Sequence, residues 1–242
     1  MNNFLKKTSS IASLAIIAVS VPITIAVLNS GTFNFKINAL LNDKPKNVVI
    51  SDISGDSAYV TWETEKSVIG MVKLTGSNKI FTEKTSSSFH LIELNTLTTT
   101  TKYTFSVYSD GSIYNDNSYT VSTSNTVSNP NKTPFMIFGQ VFGINGTTVQ
   151  QEGLIYITVS DGKNISQKIP ALLNKSGGFQ VDISNLNFDY QKSVEVTLLT
   201  YYDSVKDPIQ KEFTLDLSKT RQIPNIYLGD VEISVIPGVN GK

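Results

Sequence analysis

From residue 45 onward, apolar and polar residues alternate with period two, the pattern of a strand that buries one face. The segments "NVVIS" (47–51), "AYVTWE" (58–63), "GMVKL" (70–74), "FHLIEL" (89–94), "YTFSVYS" (103–109) and "SYTVST" (118–123) are rich in Val, Ile, Thr and aromatics. Gly, Asp, Asn and Ser bound them, and "SGDS" (54–57) and "SDGS" (109–112) have turn chemistry. A polar stretch with two prolines, "SNTVSNPNKTP" (124–134), interrupts the pattern. It resumes in "MIFGQVFG" (136–143), "LIYITVS" (154–160), "GFQVDIS" (178–184), "VEVTLLTYY" (194–202), "EFTLDL" (212–217) and "NIYL" (225–228). Short strands with no amphipathic helix between them predict an all-β fold of two tandem β-sandwiches. Val60, Trp62 and Thr64 share a face. A tryptophan buries on the order of 200 Å², so Trp62 is the predicted centre of the first core, with Val49, Leu91 or Ile92, and Phe105 packed on it.

The N-terminal pattern is different. Residues 11–28 carry no charge and no polar stripe. That length is near the ~20 residues a helix needs to cross a ~30 Å hydrocarbon layer. Lys6 and Lys7 precede the run, and no Lys or Arg follows until Lys36. The positive-inside rule then keeps the N-terminus in the cytoplasm and puts everything after Leu28 outside. Cleavage is the alternative. Val27-Leu28-Asn29-Ser30 has no small residue at the minus-three place, and Ile37-Asn38-Ala39 is a distant site. The expected order is a cytoplasmic tail (1–10), a transmembrane signal-anchor (11–28), a spacer (29–44), a first sandwich (45–124), a linker (125–134), a second sandwich (135–229) and a tail (230–242). The expected location is the cell membrane, single-pass, with the C-terminus extracytoplasmic; secretion after signal cleavage is the alternative.

Composition narrows the function. The 242 residues hold an anchor plus two domains of roughly 100 residues each. Twenty basic residues balance twenty acidic ones. Without Lys6 and Lys7 the balance is 18 (20 − 2) to 20, which lacks the dense basic face of a nucleic-acid binder. Cysteine is absent, which excludes disulfides, thiolate metal sites and a lipidated cysteine.

Two resemblances are carried by particular residues. "PKNVVISDISGDSAYVTWETEKSVIGMVKL" and "FHLIELNTLTTTTKYTFSVYSDG" resemble a fibronectin type III domain, in the variant found ahead of purple acid phosphatases. The carriers are a Pro-initiated first strand, Trp62 on the second, and Leu97 six residues before Tyr103. Thr99 stands where the family usually has proline. The resemblance implies a corner in which the Tyr103 hydroxyl bonds backbone across the turn. "GQVFGINGTTVQQEGLIYITVSDG" and "NKSGGFQVDISNL" resemble a carboxypeptidase regulatory-like domain, a small sandwich of transthyretin-like topology. Its marks are Gly139-Gln140-Val141, the strand from Leu154 to Val159, and the turn from Ser176 to Phe179. With the N-terminal apolar run and the absence of cysteine, the two resemblances imply a membrane-anchored bacterial surface protein.

Reactive constellations are scarce. The phosphatases need His, Asp and Asn metal ligands from a separate catalytic domain, and His90 is the single histidine here. His90 is expected at a strand start or on the sandwich surface. No Gly-x-Ser-x-Gly elbow exists. Asp52, Glu63, Glu65, Glu83 and Glu93 are expected to be solvated, with no pairing legible from spacing. Asp161 and Asp182 lie near turns without a calcium-loop pattern. Asn131, Asn145, Asn164 and Asn174 begin Asn-x-Ser/Thr triplets, expected often in so Asn-, Ser- and Thr-rich a chain. Tyr108, Tyr114 and Tyr119 near "YSDGSIYNDNSY" are the candidate contacts for a ligand or partner; the plainer reading is that they pack the sheet edge. No catalytic residue, cofactor or metal is expected. The expected function is a non-enzymatic spacer and binding module for a protein or glycan. The alternatives are a structural subunit of an envelope or secretion assembly and an accessory chain of an extracellular hydrolase.

Overall fold

A computed structural model describes residues 44–126, 132–186, 188–203 and 207–229, all within one compact unit. The anchor expected at 11–28 lies outside these residues. Among those described there is no helix, and none long and apolar enough to cross a membrane.

The first sandwich is built from β1 (Lys46–Ser51), β2 (Ala58–Val68), β3 (Gly70–Leu74), β4 (Ile80–Thr82), β5 (Ser87–Leu94), β6 (Lys102–Ser109), β7 (Ser112–Tyr114) and β8 (Thr120–Ser122). One sheet has the order β1-β2-β5. The other has the order β4-β3-β6-β7, with β8 pairing the opposite end of β6. Ala58, Val60, Trp62, Val72, Leu74, Ile92, Leu94, Phe105 and Val107 fill the space between them. Leu97 is buried, and the Tyr103 hydroxyl accepts the Thr98 N–H at 2.8 Å, so the implied tyrosine corner is present.

The second sandwich contains β9 (Met136–Phe142), β10 (Leu154–Ser160), β11 (Ile169–Leu172), β12 (Gly178–Asp182), β13 (Ser193–Tyr201), β14 (Ile209–Asp216) and β15 (Ile226–Tyr227). Its sheets have the orders β11-β10-β13-β14 and β12-β9-β15, the last pair parallel. Ile137, Val141, Ile155, Ile157, Phe179, Val196, Leu198 and Ile223 form its core. Strands β4, β7 and β11 have no counterpart in the predicted set. They run three or four residues, too short to show a period.

The register corrects one packing expectation. Val48, Ile50 and Ile92 join Trp62's core, whereas Val49 and Leu91 point the other way. "VVI" offers no alternation to set the phase. A bulge sets it: three steps on β1, from Lys46 to Val49, oppose two on β2, from Glu63 to Thr61. Asn47 there takes φ 52°. A one-residue shift exchanges the faces of every side chain that follows.

Candidate functional site

Val49 and Leu91 pack against the second sandwich. With Phe89, Leu154, Tyr156, Leu199 and Tyr201 they form a third apolar cluster. The strand pairings explain it. On the outer face of the first sheet, Val49, Thr61 and Leu91 lie in one row. On the opposing sheet, Pro170, Tyr156 and Leu199 form a row, and Leu172, Leu154 and Tyr201 the next. Strand β10 is therefore covered on both sides, and Leu154, Ile155, Tyr156 and Ile157 are all buried. The Tyr156 hydroxyl hydrogen-bonds Thr61. Tyr201 meets the Tyr156 ring edge-on at 5.8 Å. Gln167 mimics a strand partner: its Oε1 accepts the Ile53 N–H at 2.8 Å, and its Nε2 donates to Ile53 O at 2.9 Å.

Acidic clefts lie at both ends of this seam. One, of about 620 Å³, is lined by Asp52, Asp56, Tyr59 and Glu93 from the first sandwich and by Gln180, Asp182 and Asn185 from the second. Burial, and then the charges of Glu93 and Asp182, push Asp52 up to about 6. Burial and the same acidic surroundings push Tyr59 up to about 12. The other cleft, of about 380 Å³, is lined by Glu65, Ser88, Phe89, Glu152, Tyr202 and Asp203. Beside it Glu63, 2% exposed, is pushed up mainly by burial, while the Asn47 hydrogen bond at 3.0 Å and Lys46 pull it down.

His90 is not on the surface. It is fully buried, pairs with Trp62 across β2 and β5, and stacks on it at 4.6 Å. Its Nδ1 donates to Glu83 Oε2 at 2.7 Å, and Nε2 shares a hydrogen bond with Thr64 Oγ1 at 3.0 Å. Glu83 also accepts the N–H of Gly70 and of Leu91, at 2.9 and 3.1 Å. Glu83 and Glu63 are thus inward groups rather than solvated ones. The buried imidazole and the largely buried carboxylate are hydrogen-bonded, while the Trp62 Nε1 has no hydrogen-bond partner among the described residues; the arrangement suits a structural role.

The three candidate tyrosines do not gather on one surface. Tyr108 pairs with Ile113 and Met71 on the outer face of the larger sheet and borders an open groove of about 460 Å³ with Lys73 and Asn78. Tyr114 opposes the core residue Val107 and so lies on the inner side. Tyr119 stacks on Phe105 at 5.5 Å and packs against the first core. Asp161 and Asp182 cap turns: Asp161 accepts the N–H groups of Lys163 and Asn164, Asp182 those of Phe135 and Ser184. Asn145 and Asn174 do the same work, which gives their triplets a structural reason. Asn164 bonds Asp161, and Asn131 lies outside the described residues. Among the described residues, no group of three or more His, Asp or Glu is placed to hold a metal ion.

No protein-family model matches the chain, and no curated protein does. Several solved structures are similar. The FN1–FN3 domains of chicken CNTN1 share 11% identity over 76% of this chain and 67% of that one, with TM-score 0.26. The central fibronectin III array of RIM-binding protein shares 17% over 71% and 62%, with TM-score 0.27. A segment of two fibronectin type III domains from chicken tenascin shares 11% over 72% and 99%, with TM-score 0.24.

Proposed function

We propose that the chain is a non-enzymatic, membrane-anchored extracytoplasmic protein in which two joined sandwiches serve as spacer and binding module. In this reading the first sandwich is fibronectin type III-like and the second carboxypeptidase regulatory-like. The observation that carries it is the seam. Phe89, Leu154 and Tyr156 are buried between the sandwiches, and Gln167 ties the Ile53 backbone to the second one. A spacer has to hold its domains at a set relation, and a buried apolar contact does so better than a flexible linker. The uncharged run at 11–28 with lysines on one side supports the anchor and its orientation. Deleting residues 1–30 is expected to release the protein from the membrane fraction, and protease added to intact cells is expected to digest the wild-type sandwiches. Membrane retention of the deletion, or protection of the sandwiches until lysis, would overturn the reading.

A further inference from the structure

Strand β9 turns Ile137, Gly139 and Val141 inward and Met136, Phe138, Gln140 and Phe142 outward. Phe138 leaves 44% of its surface exposed. The register sets a glutamine on each side of it, Gln180 on β12 and Gln222 across a parallel bridge. Gln140 is two positions along, donating through Nε2 to Ser176 O at 2.8 Å. Beyond it Phe142 stacks on Tyr227 at 5.2 Å. The side-chain amides of Gln180 and Gln222 have no protein partner among the described residues.

The groups beside Phe138 select its occupant: Asp182, which shares the outer face of β12 with Gln180, is held by the N–H groups of Phe135 and Ser184, and the amides are left to meet a ligand. Each amide brings two donors and an acceptor without net charge, so three of them around an exposed ring complement a neutral polyhydroxyl ligand rather than an ion. The apolar C–H face of a pyranose stacks on an aromatic ring, and its equatorial hydroxyls then reach the rim, where the amides stand. Strand β9 is paired on both sides, so a peptide cannot add there as a further strand.

We propose that this face binds a neutral oligosaccharide, with Phe138 as the stacking ring and Gln180 and Gln222 as the hydroxyl-binding groups. The Phe142–Tyr227 pair, about 14 Å along the strand, marks the far end of the site. The proposal rests on the binding-module reading and gives it a ligand class.

The test titrates the full-length chain in lipid nanodiscs with maltohexaose, cellohexaose and chitohexaose, read by calorimetry and saturation-transfer NMR. At least one hexaose is expected to bind. F138A, or Q180A with Q222A, is expected to weaken it roughly tenfold without moving the thermal midpoint. Y108A, on the other sandwich, leaves the affinity unchanged. Binding of no hexaose, or binding that survives all three substitutions, overturns the proposal. A photocrosslinking phenylalanine analogue at position 138 or 108 separates the two failures. A dominant protein adduct in intact cells without hexaose binding moves the face to a protein partner and leaves the binding module standing. Neither hexaose binding nor an adduct removes both.

Discussion

Gly70 is the residue on which the buried Trp62–His90–Glu83 array turns. A Cβ there would lie 2.5 Å from Trp62 Cζ2, 2.7 Å from His90 Nδ1 and 2.8 Å from Glu83 Oε2. The Trp62 ring is held in the core, and Glu83 is held by three donors, so the array has little room to yield. G70A is therefore expected to lower stability by about 2–3 kcal/mol, read as a shifted urea midpoint of Trp62 fluorescence; an unshifted midpoint would show that the array can slide. Y103F is milder. It removes the acceptor of the Thr98 N–H and is expected to cost about 1 kcal/mol, a loss that thermal unfolding detects. Trp62 was legible in the sequence from its size and its place in an alternating strand, and the Leu97–Tyr103 corner from the resemblance that those two residues carry. The place of His90 was not. "FHLIEL" is apolar at both phases, and Glu83 reaches His90 from beside β4, a strand of three residues.

At the level of elements, most strands could be read from alternation, and the seam could not be assigned. "LIYI" in β10 carries four consecutive large apolar residues, the mark of a strand covered on both faces. One sequence cannot name what covers the second face. The answer lies in the facing of β1, which the bulge at Asn47 sets, and in that of β5, whose Leu91 pairs with Thr61. Strand β11 was hidden further by Pro170, a residue confined to sheet edges, and β11 is such an edge. The candidate tyrosines dispersed for a related reason: facing depends on which strand each residue joins, and β7 and β8 are three residues each. If the seam couples the sandwiches, Y156A should lower stability by about 3–5 kcal/mol and split a single urea transition into two. Retention of one unshifted transition would mean that the cores do not depend on the contact.

At the scale of the whole molecule, the seam between the sandwiches is acidic at both ends and from both sides. Asp52, Asp56, Tyr59 and Glu93 face Asp182 across one cleft. A carboxyl raised from 3.8 to about 6 on folding binds its proton more tightly in the folded state. Its contribution is therefore favourable below about pH 6, is lost as pH rises from about 4 to about 6, and is fully absent above that. Glu63 is raised as well and slopes the same way. Asp161 and Asp189 are lowered first by backbone N–H groups of their turns and Asp216 first by the Lys219 ammonium; they slope oppositely, but their exposure lets solvent screen the effect. Asp52 should decide the balance, making the protein about 1 kcal/mol more stable at pH 5 than at pH 7. Asp52 sits at φ 46°, a conformation Asn also tolerates, so D52N removes the charge without disturbing the backbone. Urea midpoints at pH 4, 5, 6 and 7 are expected to fall with rising pH in the wild type and to flatten in D52N. A wild-type protein more stable at pH 7 would place the governing carboxylates in the exposed turns instead. Equal slopes in both proteins would move the effect to Glu63 at the opposite end of the seam.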